Sequence, residues 1–391
     1  MRMRACGRTM AALVGLAGLL GAAAAGAQQT LVAGPQGTPM ALAEALRLAK
    51  DGDTIELLPG EYLGNLVLEN RRLTLRGVGG KPPVIQGAGK MGAAKALWTV
   101  RGGEVTIENL EFRGARANDG GAAGVRQEGG KLAILGCNFF DNEHGLLATN
   151  DADAELRIER SVIGLAPKVV GGLYHLLNVG RIGKFSVTGT RFQQGFEGHL
   201  MKVRARESFI GYNFIHDGLR GGASYEIDLA AGGVATVIGN VIGQGSESQN
   251  PVLVAYGTEG PAWERNALYL VHNTLVNYGW TPAWFLRVFK NNLPADTEVH
   301  AVNNLVVGPG VLWLGATGHF DGNRPAMQGM LRDIDTYAFE LPPGSPWRGS
   351  GVDPRQIGGR DLTPQAEFDW PTGTRELKGD RGRWSPGAFQ R

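Results

Sequence analysis

The sequence predicts an all-β chain wound into a right-handed parallel β-helix, a solenoid covered at its N-terminal end by a short helix. A phrase of one polar residue, usually Asn, followed by two or three apolar ones recurs from about residue 100 onward at steps of 22 to 33 residues. Periods of that size, built from strands with no helical stretch between them, mark a β-solenoid whose loops vary in length. Glycine, at 61 of 391 residues, is scattered among short β-branched runs without a collagen period, which suits many tight turns between strands.

At the N-terminus, Arg2, Arg4 and Arg8 precede an uncharged run from Met10 to Ala25, and Ala25-Gly26-Ala27 has the small-x-small form of a signal-peptidase site. The run is too short and too rich in Ala and Gly for a membrane span. Residues 1–27 therefore read as a signal peptide, and the mature chain as exported, periplasmic or extracellular, with no integral membrane segment. Met40 to Lys50 sets Leu42, Ala45, Leu46 and Ala49 on one helical face. A helix there would cover the open first coil and prevent edge pairing.

Strands are expected at Asp53 to Leu57, Leu66 to Leu68 and Leu73 to Leu75, and the recurring phrase follows at Asn109, Asn138, Asn213, Asn240 and Asn273. Asn at each suits a turn through the left-handed region, and stacked Asn side chains can bond along the axis. The β-helix is expected over 28–320. Beyond Phe320 the periodicity fades, and 321–391, with Pro342-Pro343-Gly344 and Pro386-Gly387, reads as an extended tail packed on the barrel.

The chain has 39 basic and 37 acidic residues, three of the basic ones in the leader. A near-neutral mature chain has no global field to attract nucleic acid or an anionic membrane. Beyond the leader only Cys137 remains, so no disulfide forms within the mature chain. Cys137 reads as a small buried residue, and the chain as a monomer.

The chemistry gathers where successive coils are aligned by their apolar alternation. With Leu177, Val179, Met201, Val203, Ile227, Leu229, Val252, Val254, Leu286 and Val288 inward, period two places Asn178, Lys202, Arg204, Glu226, Asp228 and Arg287 outside. Two bases on one coil then face two carboxylates on the next, the kind of cluster in which pKa values are perturbed. Adjacent opposite charges also make a plain salt-bridged face, but His199, Tyr225 and Glu259 lie nearby. Tyr256, Trp263, Tyr278, Trp280 and Trp284 add flat faces suited to sugar rings. No metal ligand set is assigned.

The solenoid pattern as a whole resembles the pectate-lyase superfamily, and Gly52 to Tyr62 is similar to the first coil of many secreted β-helices. More narrowly, Lys202-Val203-Arg204-Ala205 through Gly211-Tyr212-Asn213 resembles the catalytic strand of chondroitinase-B-like and alginate lyases. That resemblance implies a lysine base, an arginine proton donor on the next coil, and acidic calcium ligands close by. Arg204 falls nearest the base position, with Lys202 two residues earlier. The next coil carries Tyr225-Glu226-Ile227-Asp228, without an arginine, and calcium has no clear ligand set.

The expected function is action on an extracellular polysaccharide, foremost as a lyase. Lys202 and Arg204 would neutralise the uronate and take the proton, with His199, Tyr225 or Arg287 assisting and Asn178, Glu259, Tyr256 and Trp284 binding substrate. The alternatives are a glycoside hydrolase using Glu226 and Asp228, whose backbones at i, i+2 lie about 6.5–7 Å apart, and a non-catalytic polysaccharide-binding or envelope scaffold protein. Product type separates the three.

Overall fold

The computed structural model describes residues 28–390 except 36, 37, 39, 88, 92–94, 316, 317 and 379–381, so the expected leader lies outside the described residues. The chain winds through three parallel sheets in the repeating order A, B, C. Sheet A has 11 strands from Thr30–Ala33 to Glu298–Val302; sheet B has 11, from Glu61–Leu63 to Arg324–Ala326. Sheet C has 10, from Leu66–Glu69 to Gly310–Leu314. The sheet B strand Arg324–Ala326 carries the ladder past residue 320, where apolar periodicity had faded.

Each sheet sends one face inward, and the register stacks like on like. In sheet A, Ile55, Leu75, Ile107, Ile134, Ile158, Val187, Ile210 and Val237 are successive partners. In sheet B, Phe112 and Phe139 stack with centroids 5.0 Å apart. Coils separated by about 4.8 Å leave no room for solvent between such side chains, so the core is continuous along the axis. Cys137 belongs to it, with burial pushing its thiol up to about 12. The helix Leu42–Leu48 contributes Ala45 and Leu46 to the same core.

A polar ladder holds the corner between sheets A and B. Asn213, Asn240, Asn273, Asn304 and Asn323 stack so that each side-chain amide, and each backbone N–H, donates to the next Oδ1 at 2.9–3.1 Å. The turn differs from the expected one. The left-handed residue is the one before the ladder Asn: Tyr212, Gly239, His272 and Asn303. Asn109 is itself left-handed, and Asn138 opens a sheet B strand. The Asn side chain serves the ladder, and its neighbour supplies the bend.

The C-terminal segment packs on part of two of the three outer faces. Leu331, Ile334, Phe339, Phe368 and Phe389 pack on Phe214, Val241, Val276 and Val307 outside sheet B. Ile357 and Leu362 pack with Tyr212, Ile238 and Tyr269 outside sheet A. Neither cluster includes an outward residue of sheet C.

Asn240→Ala leaves the buried Asn213 N–H and the Ile210 carbonyl without their partner. It is expected to lower stability by about 1–3 kcal/mol, a buried unmade hydrogen bond being the cause. Denaturant midpoints measure this, and Glu207→Ala, on the outer face, is expected to move the midpoint by less than about 0.5 kcal/mol.

Candidate functional site

On the outer face of sheet C, the register puts Asn178, Lys202, Asp228, Ala255 and Arg287 in one column across five coils. The expected alternation therefore holds for Lys202, Asp228, Arg287 and Asn178. Arg204 follows the strand Met201–Val203 and joins the cluster by donating to Asn178 Oδ1 at 3.0 Å. Glu259 arrives from the loop after the strand Val252–Tyr256. It takes a forked pair of hydrogen bonds from Arg204, at 2.6 and 2.8 Å, and lies 2.9 Å from Lys202 Nζ. Those bonds to Arg204 outweigh partial desolvation and hold the Glu259 carboxyl down at about 2.

Asp228 sits beneath this layer. Thr258 donates to its Oδ1 at 2.8 Å, while Lys202 Nζ and His199 Nε2 stand 3.6 and 3.5 Å from Oδ2. Burial pushes its carboxyl up to about 6, against the pull of Lys202. Desolvation wins there because the group is almost wholly covered.

His199 ends a ring stack formed by His144, His175 and His199, continued by Tyr225, with the last two gaps at 4.6 and 4.7 Å. Each Nδ1 accepts from a backbone N–H one coil on: His175 N to His144, His199 N to His175, Tyr225 N to His199. The proton of neutral His175 and His199 therefore lies on Nε2, whereas His144 Nδ1 also stands 2.9 Å from His175 O. Burial, then Lys202 and Arg204, push His199 down to about 3. At neutral pH His199 is an uncharged donor facing Asp228, with no free lone pair to take a proton. His144 and His175 recur at the coil period, a signal readable in sequence once histidines are taken together; Thr258 had no such signal.

Two expected site residues, Glu226 and Tyr256, lie elsewhere. Glu226 is 0% exposed, and neither carboxyl oxygen has a hydrogen-bond partner. It occupies the position held one coil away by Leu200 and Leu253, both in the core. At this corner two consecutive residues, as in Leu200-Met201, turn inward, so period two fails just before the strand. Burial and then the nearby charge of Asp217 raise Glu226 well above the ordinary range. Asp217 accepts from Gly195 N and Ala223 N, at 2.5 and 2.7 Å, and burial raises it to about 7. Tyr256 also faces inward, between Leu229 and Val288, with its hydroxyl donating to Gly233 O at 2.6 Å, so it offers no sugar platform. Trp284 is part-exposed, and Arg287 lies over the Phe289 ring at 4.6 Å.

The residues present do not suit calcium. Both Glu259 oxygens are taken by Arg204 and Lys202, Asp228 is shared by Thr258, Lys202 and His199, and no metal-binding cluster occurs among the described residues. Cations already occupy the places a metal would take.

A concavity of about 1120 Å³ lies along the outer face of sheet A, beside Trp263, Arg265 and Arg360. Its floor alternates in charge along Glu104, Lys131, Glu155, Lys184 and Glu207, with Lys131 and Glu155 paired at 3.6 Å. Exposed alternating pairs explain that row, whereas the column on sheet C brings covered basic and acidic groups together.

The fold is a pectate-lyase-like parallel β-helix. The crystal structure of the pectate lyase Pel9A superposes with a TM-score of 0.66 at 12% identity, over 93% of this chain and 96% of that one. The alginate lyase from Paenibacillus sp. str. FPU-7 superposes with a TM-score of 0.53 at 16% identity, over 76% of this chain and 99% of that one. No family model matches the sequence, and no curated protein matches it. Among the described residues no helix is long and apolar enough to cross a membrane.

A raised carboxyl favours folding while it is neutral. For Glu226 and Asp217 that stability is fully present below about pH 4 and is lost as pH rises, through about 7 for Asp217. Glu226→Leu is expected to raise the melting temperature at pH 8, and by less at pH 4. A gain independent of pH contradicts this.

Proposed function

We propose that the protein is an exported enzyme that cleaves an acidic extracellular polysaccharide by elimination, at the outer face of sheet C. The observation that carries the reading is the convergence of Lys202 and Arg204 on one carboxylate, Glu259, with Asn178 holding Arg204, above a covered Asp228. The fold it shares with a pectate lyase and an alginate lyase supports it.

In this reading Arg204, helped by Asn178, binds the uronate carboxylate and so stabilises the negative charge that builds up when the neighbouring C–H ionises. Lys202 takes that proton as the amine left once its ammonium has passed a proton to the adjacent Asp228 carboxylate. The electron pair forms the new double bond, the glycosidic C–O bond breaks, and a proton from Tyr225 or Arg287 goes to the leaving oxygen. Asp228 in its carboxylate form orients Lys202, and His199 donates toward Asp228. The reading also takes the solenoid as right-handed, the hand that parallel connections overwhelmingly adopt. The helix Leu42–Leu48 then covers its first coil, and the segment from 321 onward forms a tail on sheets A and B. The polysaccharide is the partner, and the chain acts as a monomer.

Hydrolysis by Glu226 and Asp228 is disfavoured, because one carboxyl is inside the coil and the other outside. A purely binding protein would use the same face and release no product.

The test is a panel of polyuronates and neutral glycans, read by the ultraviolet absorbance of unsaturated products. Arg204→Ala is expected to abolish product formation while costing about 1 kcal/mol of stability or less, since the pair with Glu259 is part-exposed. Reducing ends without absorbance would indicate hydrolysis, and no product from any glycan would leave binding alone.

Activity is expected to fall below about pH 6 as Asp228 takes up a proton. Asp228→Asn removes that acid limb and lowers the plateau. An unchanged limb in kcat/KM of the variant assigns the ionisation elsewhere.

A further inference from the structure

The bases on sheet C are held from several directions. Arg204 donates to Asn178, and its carbonyl accepts from Trp263 Nε1 at 3.0 Å. Lys202 lies between Asp228 and Glu259, and both basic side chains are largely covered, at 16% exposure for Lys202 and 21% for Arg204. The anion they share is not part of the sheet. Glu259 comes from a loop bracketed by Gly257 and Gly260, both at positive φ. Its backbone is fixed, with Glu259 N donating to Ala230 O at 2.8 Å and Asn292 Nδ2 to Gly257 O at 3.2 Å. Its side chain is 37% exposed, more open than either base. The cradle is rigid, while its occupant lies on the solvent side and can leave by side-chain rotation alone.

We propose that Glu259 is the built-in occupant of a carboxylate subsite formed by Arg204 and Lys202, with Asn178 holding the arginine, which an acidic sugar enters by displacing it. This deepens the reading of sheet C as an acidic-glycan site and rests on it. A uronate carboxylate has the charge and the two-oxygen geometry of Glu259, and the arginine fork accepts either. Exchanging one carboxylate for another yields little net free energy. A tethered carboxylate also competes at high effective concentration. A single uronate therefore fails to displace Glu259, whereas a polymer succeeds through contacts with neighbouring units. The tether thus selects chains over free acidic sugars.

The experiment measures binding without requiring turnover. Wild type, Glu259→Ala and the shape-conserving Glu259→Gln are titrated with glucuronate and with its methyl ester, by calorimetry and thermal shift. Both variants are expected to bind glucuronate at least about tenfold more tightly than wild type, and none to bind the ester. Equal affinity in all three chains, or no binding by any, overturns the proposal, and Glu259→Gln keeps it decidable if the alanine variant misfolds. On any polyuronate the wild type cleaves, Glu259→Ala is expected to lower KM. A raised KM with lowered kcat would instead make Glu259 a positioning residue for Arg204 and overturn the proposal, leaving the lyase reading intact. Glucuronate binding by the variants with no polyuronate cleaved by wild type would retire the lyase reading and leave the subsite standing.

Discussion

Everything in this molecule depends on strands that stack in register. A side chain on one coil is fixed by its partner above and below, so one inward column commits the next. A slip of one residue would turn Lys202 into the core and Met201 out to solvent. The Asn ladder guards against that slip at the corner between sheets A and B, because each Oδ1 receives both an amide and a backbone N–H from the coil before. The C-terminal segment depends on the same stacking. It finds apolar patches outside sheets A and B, while its two clusters leave the column on sheet C uncovered.

Within that frame, three carboxyl groups on neighbouring coils have three different fates. Glu226 is enclosed among core side chains without a hydrogen-bond partner, so burial raises it well above the ordinary carboxylate range. Asp228 lies outside but covered, and burial outweighs Lys202 to leave it near 6. Glu259 is part-exposed and doubly bonded to Arg204, and it stays charged to about 2. Position relative to the sheet, rather than residue type, decides which of them can work as an acid, a holder or an anion. The same logic makes His199 a neutral donor, since its Nδ1 is committed to Tyr225 N and cations flank the ring.

Much of this was legible in the sequence, because a solenoid writes its coils as a period. Alternation alone placed Lys202, Asp228, Asn178 and Arg287 in one outward column. It failed at Glu226, where the chain rounds a corner and two successive residues face inward, and at Tyr256, whose hydroxyl made an inward tyrosine look like a surface one. The Asn phrase located the coils, but the bend falls on the residue before it. Glu259 was visible only as a nearby acid, since a loop contact across 55 residues leaves no periodic trace.

The proposed working face is sheet C and not the groove on sheet A. Hydrogen exchange with and without an acidic oligosaccharide tests it most directly. Protection is expected in 177–179, 199–204, 225–229 and 255–263, with the sheet A strands of the groove unchanged. Protection confined to the groove strands Lys131–Leu135, Ile182–Thr188 and Glu207–Gly211 would contradict it.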